Sequence, residues 1–521
     1  MKRVLSVIVF SCAAVAAMAQ NYRNPIIPGY HPDPSICRVG DDFYLVNSSF
    51  EYFPGVPISH SKDLVHWEQI GNVLDRDSQL PLKGTNSWLG IYAPTIRYND
   101  GTYYMITTNV GNGGNFLVTA KDPKGPWSEP VWLQQQGIDP SLYFENGKCY
   151  MVSNPDNTIM LCEIDPKTGK QLTDSKPLWQ GTGGRYPEGP HIYKKDGYYY
   201  LLISEGGTEL AHHLTIARSK KIDGPYKGNP DNPILTNCNM KGQSMQIQGT
   251  GHGDFVQAAD GSWWIVFLAY RNYGGSYHHL GRETYLAPVV WEKGKWPVVN
   301  GGNPVDTLMS ARLLPEVKLT RSQSMTTFEN GMLGHEWIYL QNPIRESYKF
   351  ANKKLTLTTH GTLTDNNQPT FVGRRQENAS ILAETCIDLK SISEPSAMSD
   401  ALFGLTVYQI NDGHIDLCTD GSKVKVKCRL KTLSADCGEE LLPIKDGAET
   451  GKLKLRITSD GNNYHFLYAC DNGPFKELST QSCTLVSTET AGGFTGVVLG
   501  MYAEGNTKSQ AAFEYFNYEE K

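Results

Sequence analysis

The stretch Asp33-Pro34-Ser35-Ile36-Cys37-Arg38-Val39-Gly40-Asp41-Asp42-Phe43-Tyr44-Leu45-Val46 decides the fold, because its pattern returns four more times before residue 270. A turn-like opening, often with proline, leads into an alternating apolar run, a tight turn rich in Asp and Gly, and a second, aromatic run. The echoes open at Ala93-Pro94-Thr95, Asp139-Pro140-Ser141, Gly189-Pro190-His191 and Gly253-Asp254-Phe255. Their turns are Asp100-Gly101, Asn146-Gly147, Asp196-Gly197 and Asp260-Gly261. Asn-Gly or Asp-Gly between alternating runs marks a β-hairpin, since the primed two-residue turns need positive φ. The openings recur at intervals of 46 to 64 residues, the range of propeller blades and solenoid turns. One hairpin cannot bury its apolar face alone, whereas five antiparallel sheets of about four strands do so by packing radially. A second tag, Ser61-Lys62-Asp63-Leu64-Val65-His66-Trp67, with relatives ending at Trp127 and Tyr226, suits outer blade strands. Residues 20–310 are therefore predicted to form a five-bladed β-propeller.

Residues 1–19 read as a secretory leader: Lys2 and Arg3, then an apolar run, then Ala17-Met18-Ala19 as a small-residue cleavage site. The expectation is an exported protein, in a bacterial periplasm or secreted, with no membrane span, because no other apolar stretch approaches 18 residues. Asn300-Gly301-Gly302-Asn303-Pro304 and Leu314-Pro315 loosen the pattern, and 311–325 is read as a linker. Beyond it, short alternating runs such as Lys354-Leu355-Thr356-Leu357-Thr358 and Lys423-Val424-Lys425-Val426-Lys427 predict a β-sandwich over 326–521. The whole mature chain is thus expected to be all-β. A net charge of −6 without basic runs argues against nucleic acid or anionic membranes as partners. Of eleven cysteines none forms a CxxC pair, and six fall after residue 380, where one or two disulfides are expected in an oxidising compartment. Cys37, Cys149 and Cys162 lie in predicted strands and read as isolated buried thiols.

A propeller brings the starts of its innermost strands together at one end of the axis. Asp33 and Asp139 open the first and third units, and Glu188 immediately precedes the opening of the fourth. The second and fifth units carry Ala93 and Gly253 at the aligned position, so the fold itself does not require acid there. A single Asp-Pro is an ordinary turn, but three carboxylates at one axis are costly unless something uses them. Such a trio, without metal-ligand spacing, suits cleavage of a glycosidic bond. One carboxyl stays neutral to protonate the leaving oxygen, another is ionised, and a third raises the proton affinity of the acid.

Several motifs carry a resemblance. Asn24-Pro25-Ile26 before Asp33-Pro34-Ser35, Phe50-Glu51-Tyr52-Phe53-Pro54-Gly55-Val56-Pro57, Glu205-Gly206-Gly207-Thr208-Glu209, Gly249-Thr250-Gly251-His252-Gly253-Asp254 and Gly281-Arg282-Glu283-Thr284 resemble glycoside hydrolase family 43. With Phe371-Val372-Gly373-Arg374-Arg375-Gln376 they are similar to its β-xylosidase and α-L-arabinofuranosidase branch, which adds a concanavalin-like sandwich. The resemblance implies inversion at the anomeric carbon, with Asp33 as general base, Glu188 as general acid and Asp139 orienting Glu188 and keeping its pKa high. It also implies substrate contacts from Phe50, Tyr92, His252 and Arg282. No cofactor is required, although relatives sometimes hold calcium near such a histidine; the chain has no Asp-rich calcium loop. The partner implied is a hemicellulose fragment bearing arabinose or xylose.

Relatives commonly open the second blade with Trp-Ala-Pro-Asp, where this chain has Tyr92-Ala93-Pro94-Thr95. Leu89-Gly90-Ile91-Tyr92 resembles side-chain-removing bacterial enzymes, favouring release of terminal α-L-arabinofuranosyl residues, with β-D-xylosidase action on xylo-oligosaccharides as the alternative. A noncatalytic carbohydrate-binding propeller is the rival of another class. The sandwich is expected to lend a loop to the site mouth, with the Thr488 to Thr495 turn as candidate.

Overall fold

The computed structural model describes residues 19–238, 246–319, 324–393, 400–445 and 448–521. The expected leader lies, but for Ala19, outside the described residues. Five sheets follow one another along the chain and form the blades of a propeller. Blade I is Ser35–Val39, Asp42–Val46, Gly55–Ser61 and Glu68–Leu74, antiparallel and in sequence order from the axis outward. Blades III, IV and V repeat that order from inner strands Ile138–Glu145, Glu188–Lys195 and Ile247–Gln257. Blade II differs in its innermost position, where Gly90–Ile91 and Thr95–Asn99 both pair with Thr102–Val110.

Period-two alternation turns each blade into a two-sided wedge. On Tyr198–Glu205, Leu201 and Ile203 pack with Val152 and Leu161 of blade III, while Tyr200 and Leu202 join Phe255 and Ile265 of blade V. The ring closes through the segment before blade I. Gln20–Arg23 pairs with Leu308–Ala311, and the Asn24 amide brackets Leu286, accepting from its N–H at 3.0 Å and donating to its carbonyl at 2.9 Å.

The sandwich is two 8-stranded sheets. The rear sheet includes Gln510–Glu520, Ser380–Asp388 and Lys452–Asp460; the front sheet includes Leu402–Ile410, Val498–Glu504 and Thr370–Arg375. Between them lies a core containing Val407, Leu405, Met501 and Val372. The other face of the front sheet, with Phe371, Tyr408 and Tyr502, packs on Tyr30, Phe50 and Tyr52 of the propeller. Covered on both faces, Leu402–Ile410 is buried from its second residue to its last rather than alternating with solvent. The propeller also supplies the edge of this sheet: Tyr52–Phe53 pairs antiparallel with Trp337–Leu340, which covers an otherwise open strand edge. Between the last propeller strand, ending at Ala311, and the first sandwich strand, Met325–Thr327, no strand forms among the described residues.

All ten described cysteines are free, so the one or two disulfides expected after residue 380 are not formed. Cys428 and Cys437 come closest, with Sγ atoms 2.9 Å apart on neighbouring strands, while Cys37, Cys149 and Cys162 are buried thiols.

The two domains touch backbone to backbone at Gly496. A Cβ there would stand 2.3 Å from the Leu280 carbonyl oxygen and 2.6 Å from the Gly281 nitrogen. Because backbone cannot yield as a side-chain tip can, Gly496→Ala is expected to cost about 1–3 kcal/mol. Thermal melting should fall by several degrees, whereas Gly71→Ala, whose Cβ would meet only the Ile58 methyl at 3.9 Å, should leave it nearly unchanged.

Candidate active site

The inner strands give the site its order. Counting back two residues from the first regularly paired residue of each, Ser35, Thr95, Ser141, His191 and Asp254, gives Asp33, Ala93, Asp139, Gly189 and His252. Asp33, Asp139, Gly189 and His252 share one left-handed bend, with φ of 53°, 53°, 60° and 43°. Asp and Gly tolerate this region, and the bend falls inside a register shift in blades III, IV and V. Blade V thus corrects the sequence alignment: His252, not Gly253, stands with Asp33 and Asp139. One residue earlier stand Tyr92, Ile138 and Glu188, which face the same hollow.

That hollow has a volume of about 270 Å³ and holds Asp33, Asp139, Glu188, Phe50, Tyr92, His252 and Arg282 together in its wall. All seven residues singled out from sequence therefore meet there. Two larger hollows, one beside Tyr22 and Leu313 and one beside His360 and Asp365, contain none of them.

The three acids differ in their surroundings. Asp33 accepts from the Ser48 hydroxyl at 2.6 Å and from Arg282 Nη1 at 3.1 Å. Burial pushes its carboxyl up, but Arg282, His252 and the Ser48 hydrogen bond together bring it below its ordinary value. Asp139 has the Gly189 N–H at 3.1 Å and, among the described residues, no cationic partner comparable to Arg282. Its carboxyl is pushed up to about 7 by burial and by the charges of Glu188 and Asp33, against the opposing pull of His252. Glu188 is also raised to about 7, by burial first, then by Asp33 and Glu209, with His252 and Arg282 opposing. His252 Nδ1 stands 3.7 Å from Asp33 Oδ1 and 3.8 Å from Asp139 Oδ2, so the two aspartates flank one imidazole. Near neutrality the site therefore holds an ionised Asp33 beside an Asp139–Glu188 pair that retains a proton.

Second contacts fix these groups. Arg282 Nη1 also donates to Thr208 Oγ1 at 3.0 Å, which sets the guanidinium between blade I and the 206–211 loop. His212 lies fully buried with Nε2 at 3.5 Å from Glu188 Oε1; burial first, and then Arg282, lower its pKa to about 3, so it is neutral. Gly251 makes room for it, since a Cβ there would fall 2.2 Å from the His212 ring. Glu205 accepts from the Thr182 and Gly184 N–H groups and from the Thr215 hydroxyl, tying down the loop that leads to Glu188.

One wall comes from the sandwich. Phe494, within the turn anticipated from sequence, stacks 6.4 Å from Phe50, and Trp88 meets it edge-on at 5.5 Å. Tyr92 packs on Phe50 at 5.2 Å. The Arg282 guanidinium lies 5.8 Å from the centroids of both Phe50 and Phe494. Across the mouth, Tyr186 is 55 % exposed beside Glu188, with the Arg185 guanidinium over its ring and Glu209 paired to Arg185. Sequence reasoning missed Tyr186, Thr208 and His212 as site residues. Thr208 lay in a motif that had been quoted, and the other two sit in loops with no counterpart in the other repeats.

Among the described residues no group of three or more His, Cys, Asp and Glu side chains is arranged to hold a metal. Calcium takes six or more oxygens, waters among them. Asp254, the carboxylate of the next ring, is already taken by the Ser35 hydroxyl, the Ile36 N–H, the Tyr193 hydroxyl and both Arg97 Nη atoms. Arg97, which also donates to His191 Nδ1, places a cation there already.

A five-bladed propeller with one ionised and one proton-holding carboxyl in a sugar-sized hollow defines a glycosidase. Residues 22–297 match the model of glycosyl hydrolases family 43, and residues 325–519 match that of the beta xylosidase C-terminal concanavalin A-like domain. The chain belongs to glycosyl hydrolase family 43. It is 42 % identical to the non-reducing end alpha-L-arabinofuranosidase BoGH43B of Bacteroides ovatus, covering 99 % of this chain and 98 % of the relative. It is 41 % identical to a xylosidase/arabinosidase of Butyrivibrio fibrisolvens, covering 95 % and 99 %. The solved Bacteroides ovatus "Xyloglucan PUL GH43B" superposes with a TM-score of 0.90 at 40 % identity, over 96 % of this chain and all of that one.

The charge pattern predicts a bell-shaped pH dependence of kcat/KM. Activity should be retained below the usual carboxylate range on the acid side, and should fall as pH rises through about 7 and the Asp139–Glu188 pair loses its proton. Asp139→Asn removes a negative neighbour of Glu188, so residual activity should show its alkaline limb displaced to lower pH. An unmoved limb would mean that Asp139 does not set the proton affinity of Glu188.

Proposed function

We propose that this protein is an exo-acting, inverting glycoside hydrolase that releases terminal α-L-arabinofuranosyl residues from hemicellulose-derived chains. Asp33 takes a proton from water as the water attacks the anomeric carbon. Glu188 delivers its proton to the departing oxygen, and Asp139 orients Glu188 and keeps it protonated. The observation that carries this reading is the asymmetry of the acids: Arg282 and Ser48 sit on Asp33, while burial and like charge act on Glu188. Arg282 and the Phe50, Tyr92 and Phe494 rings grip the terminal sugar. The hollow, at about 270 Å³, lies below the roughly 300–1,000 Å³ of pockets that enclose drug-sized ligands, which suits one sugar ring held by its chain end. The reaction as drawn uses no cofactor. A calcium near His252 has no role in it.

The arabinofuranoside reading is supported by the name of the 42 % identical relative, and β-D-xylosidase action by that of the xylosidase/arabinosidase. Export to the periplasm or beyond rests on the leader-like residues 1–19.

Hydrolysis of nitrophenyl α-L-arabinofuranoside should exceed that of nitrophenyl β-D-xyloside, and proton NMR should show the first-formed sugar with inverted configuration. Glu188→Gln should lower kcat at least a hundredfold on natural oligosaccharides, less on nitrophenyl glycosides, whose leaving group needs little protonation, and should retain sugar binding by calorimetry. A wild-type protein that binds but never hydrolyses would be a lectin.

A further inference from the structure

An acid that protonates a departing oxygen also marks the side on which the departing sugar lies. On the reading above Glu188 gives its proton to the bridging oxygen, so the first ring beyond that oxygen stands on the Glu188 side of the hollow. The hollow, at about 270 Å³, suits one ring, which leaves the second at the mouth. Asp33 and Phe494 belong to the opposite side, joined through Arg282, which reaches Asp33 Oδ1 at 3.1 Å and the Phe494 carbonyl at 3.4 Å. Two residues before Glu188 comes Tyr186. It lines the same hollow but is 55 % exposed, whereas Phe50 in the inner wall is 2 % exposed.

The backbone holds this ring at the mouth against its own preference. Tyr186 has a φ of 54°, a region that bulky residues avoid, and Pro187 after it narrows the choice further. Such outliers persist only where the surroundings over-determine them, and they cluster at ligand clamps. Here the surroundings are plain. Arg185 is tied to Gly206 in both directions: its carbonyl accepts from the Gly206 N–H at 2.8 Å, and its Nε donates to the Gly206 carbonyl at 3.1 Å. Its guanidinium lies over the Tyr186 ring, 5.4 Å from the centroid, and pairs with Glu209. Gly207 keeps space for that pair, since a Cβ there would fall 2.7 Å from Glu209 Oε2 and 3.0 Å from Arg185 Nη2. The phenol is thus backed by a guanidinium and open toward the mouth. We propose that Tyr186 is the platform for the first sugar of the leaving chain, a neutral ring whose C–H face packs on the phenol while the exposed Arg185–Glu209 pair meets its hydroxyls. An ion pair that cancels its own charge calls for a neutral sugar rather than a uronic acid. The platform rests on Glu188 being the acid, and it makes the sugar beyond the cleaved bond a determinant of specificity.

Steady-state kinetics of the full chain test it with two pairs of substrates, α-L-arabinofuranosyl-xylobiose against methyl α-L-arabinofuranoside and xylobiose against methyl β-D-xyloside. Within each pair only one member has a sugar ring to leave. The wild type should favour that member of the pair it hydrolyses, and Tyr186→Ala should shrink this preference in kcat/KM about tenfold. The change should fall on KM more than kcat, because packing of this kind is made equally in the ground and transition states. Tyr186→Phe, which keeps the ring, should keep the preference. Should the alanine variant not fold, Tyr186→Gly, which suits the positive φ, takes its place. A loss shared by both members cancels in the ratio, so an unchanged ratio, or a wild type without the preference, overturns the platform alone. Hydrolysis of neither pair, or full activity in Glu188→Gln, removes the catalytic reading itself and the platform with it.

Discussion

Carboxylates crowded at one end of a propeller axis cannot all be charged, and the structure decides which one is. Arg282 leans on Asp33 from one side and Ser48 donates from the other, so the negative charge settles there. Asp139 and Glu188, deprived of such a partner and within reach of that charge, retain a proton between them. The chemistry of the site, a base facing an acid, follows from this unequal distribution of donors more than from the acids themselves. The arrangement also explains why His212, the imidazole 3.5 Å from Glu188, is neutral. A protonated His212 would favour ionisation of the acid, and burial keeps the imidazole uncharged.

The sandwich is part of the same machinery. Its front sheet is a middle layer, apolar toward its own core and toward the propeller. That burial holds Phe494 over the pocket at a fixed height, where a loop on a tethered module would wander. Arg282 Nη2 even donates to the Phe494 carbonyl at 3.4 Å, so the residue that biases Asp33 also senses the position of the sandwich.

Much of this could be read from the chain because propellers repeat. Asp-Gly and Asn-Gly turns announce each blade, and equivalent positions converge whatever their separation in sequence, which is why Asp33, Asp139 and Glu188 could be brought together before any coordinates. The offset in blade V escaped because two register shifts, between Gln248 and Gly251 and between Gly251 and Asp254, hide the equivalence of His252 and Asp33. Tyr186 and His212 escaped because irregular loops have no period to betray them. Tyr52–Phe53 escaped for another reason: a two-residue strand carries no alternation, and its partner Trp337–Leu340 lies far along the chain. The sandwich strands were visible by alternation, yet nothing local told that their outer face would be covered by another domain.

The exchange of parts between the two domains has a structural corollary. The propeller lends Tyr52–Phe53 to complete the neighbouring sheet, and the sandwich returns Phe494 to complete the sugar pocket. Neither half is a free-standing cassette. Swapping one half for a distant cousin's would leave a raw sheet border on one side and a roofless pocket on the other.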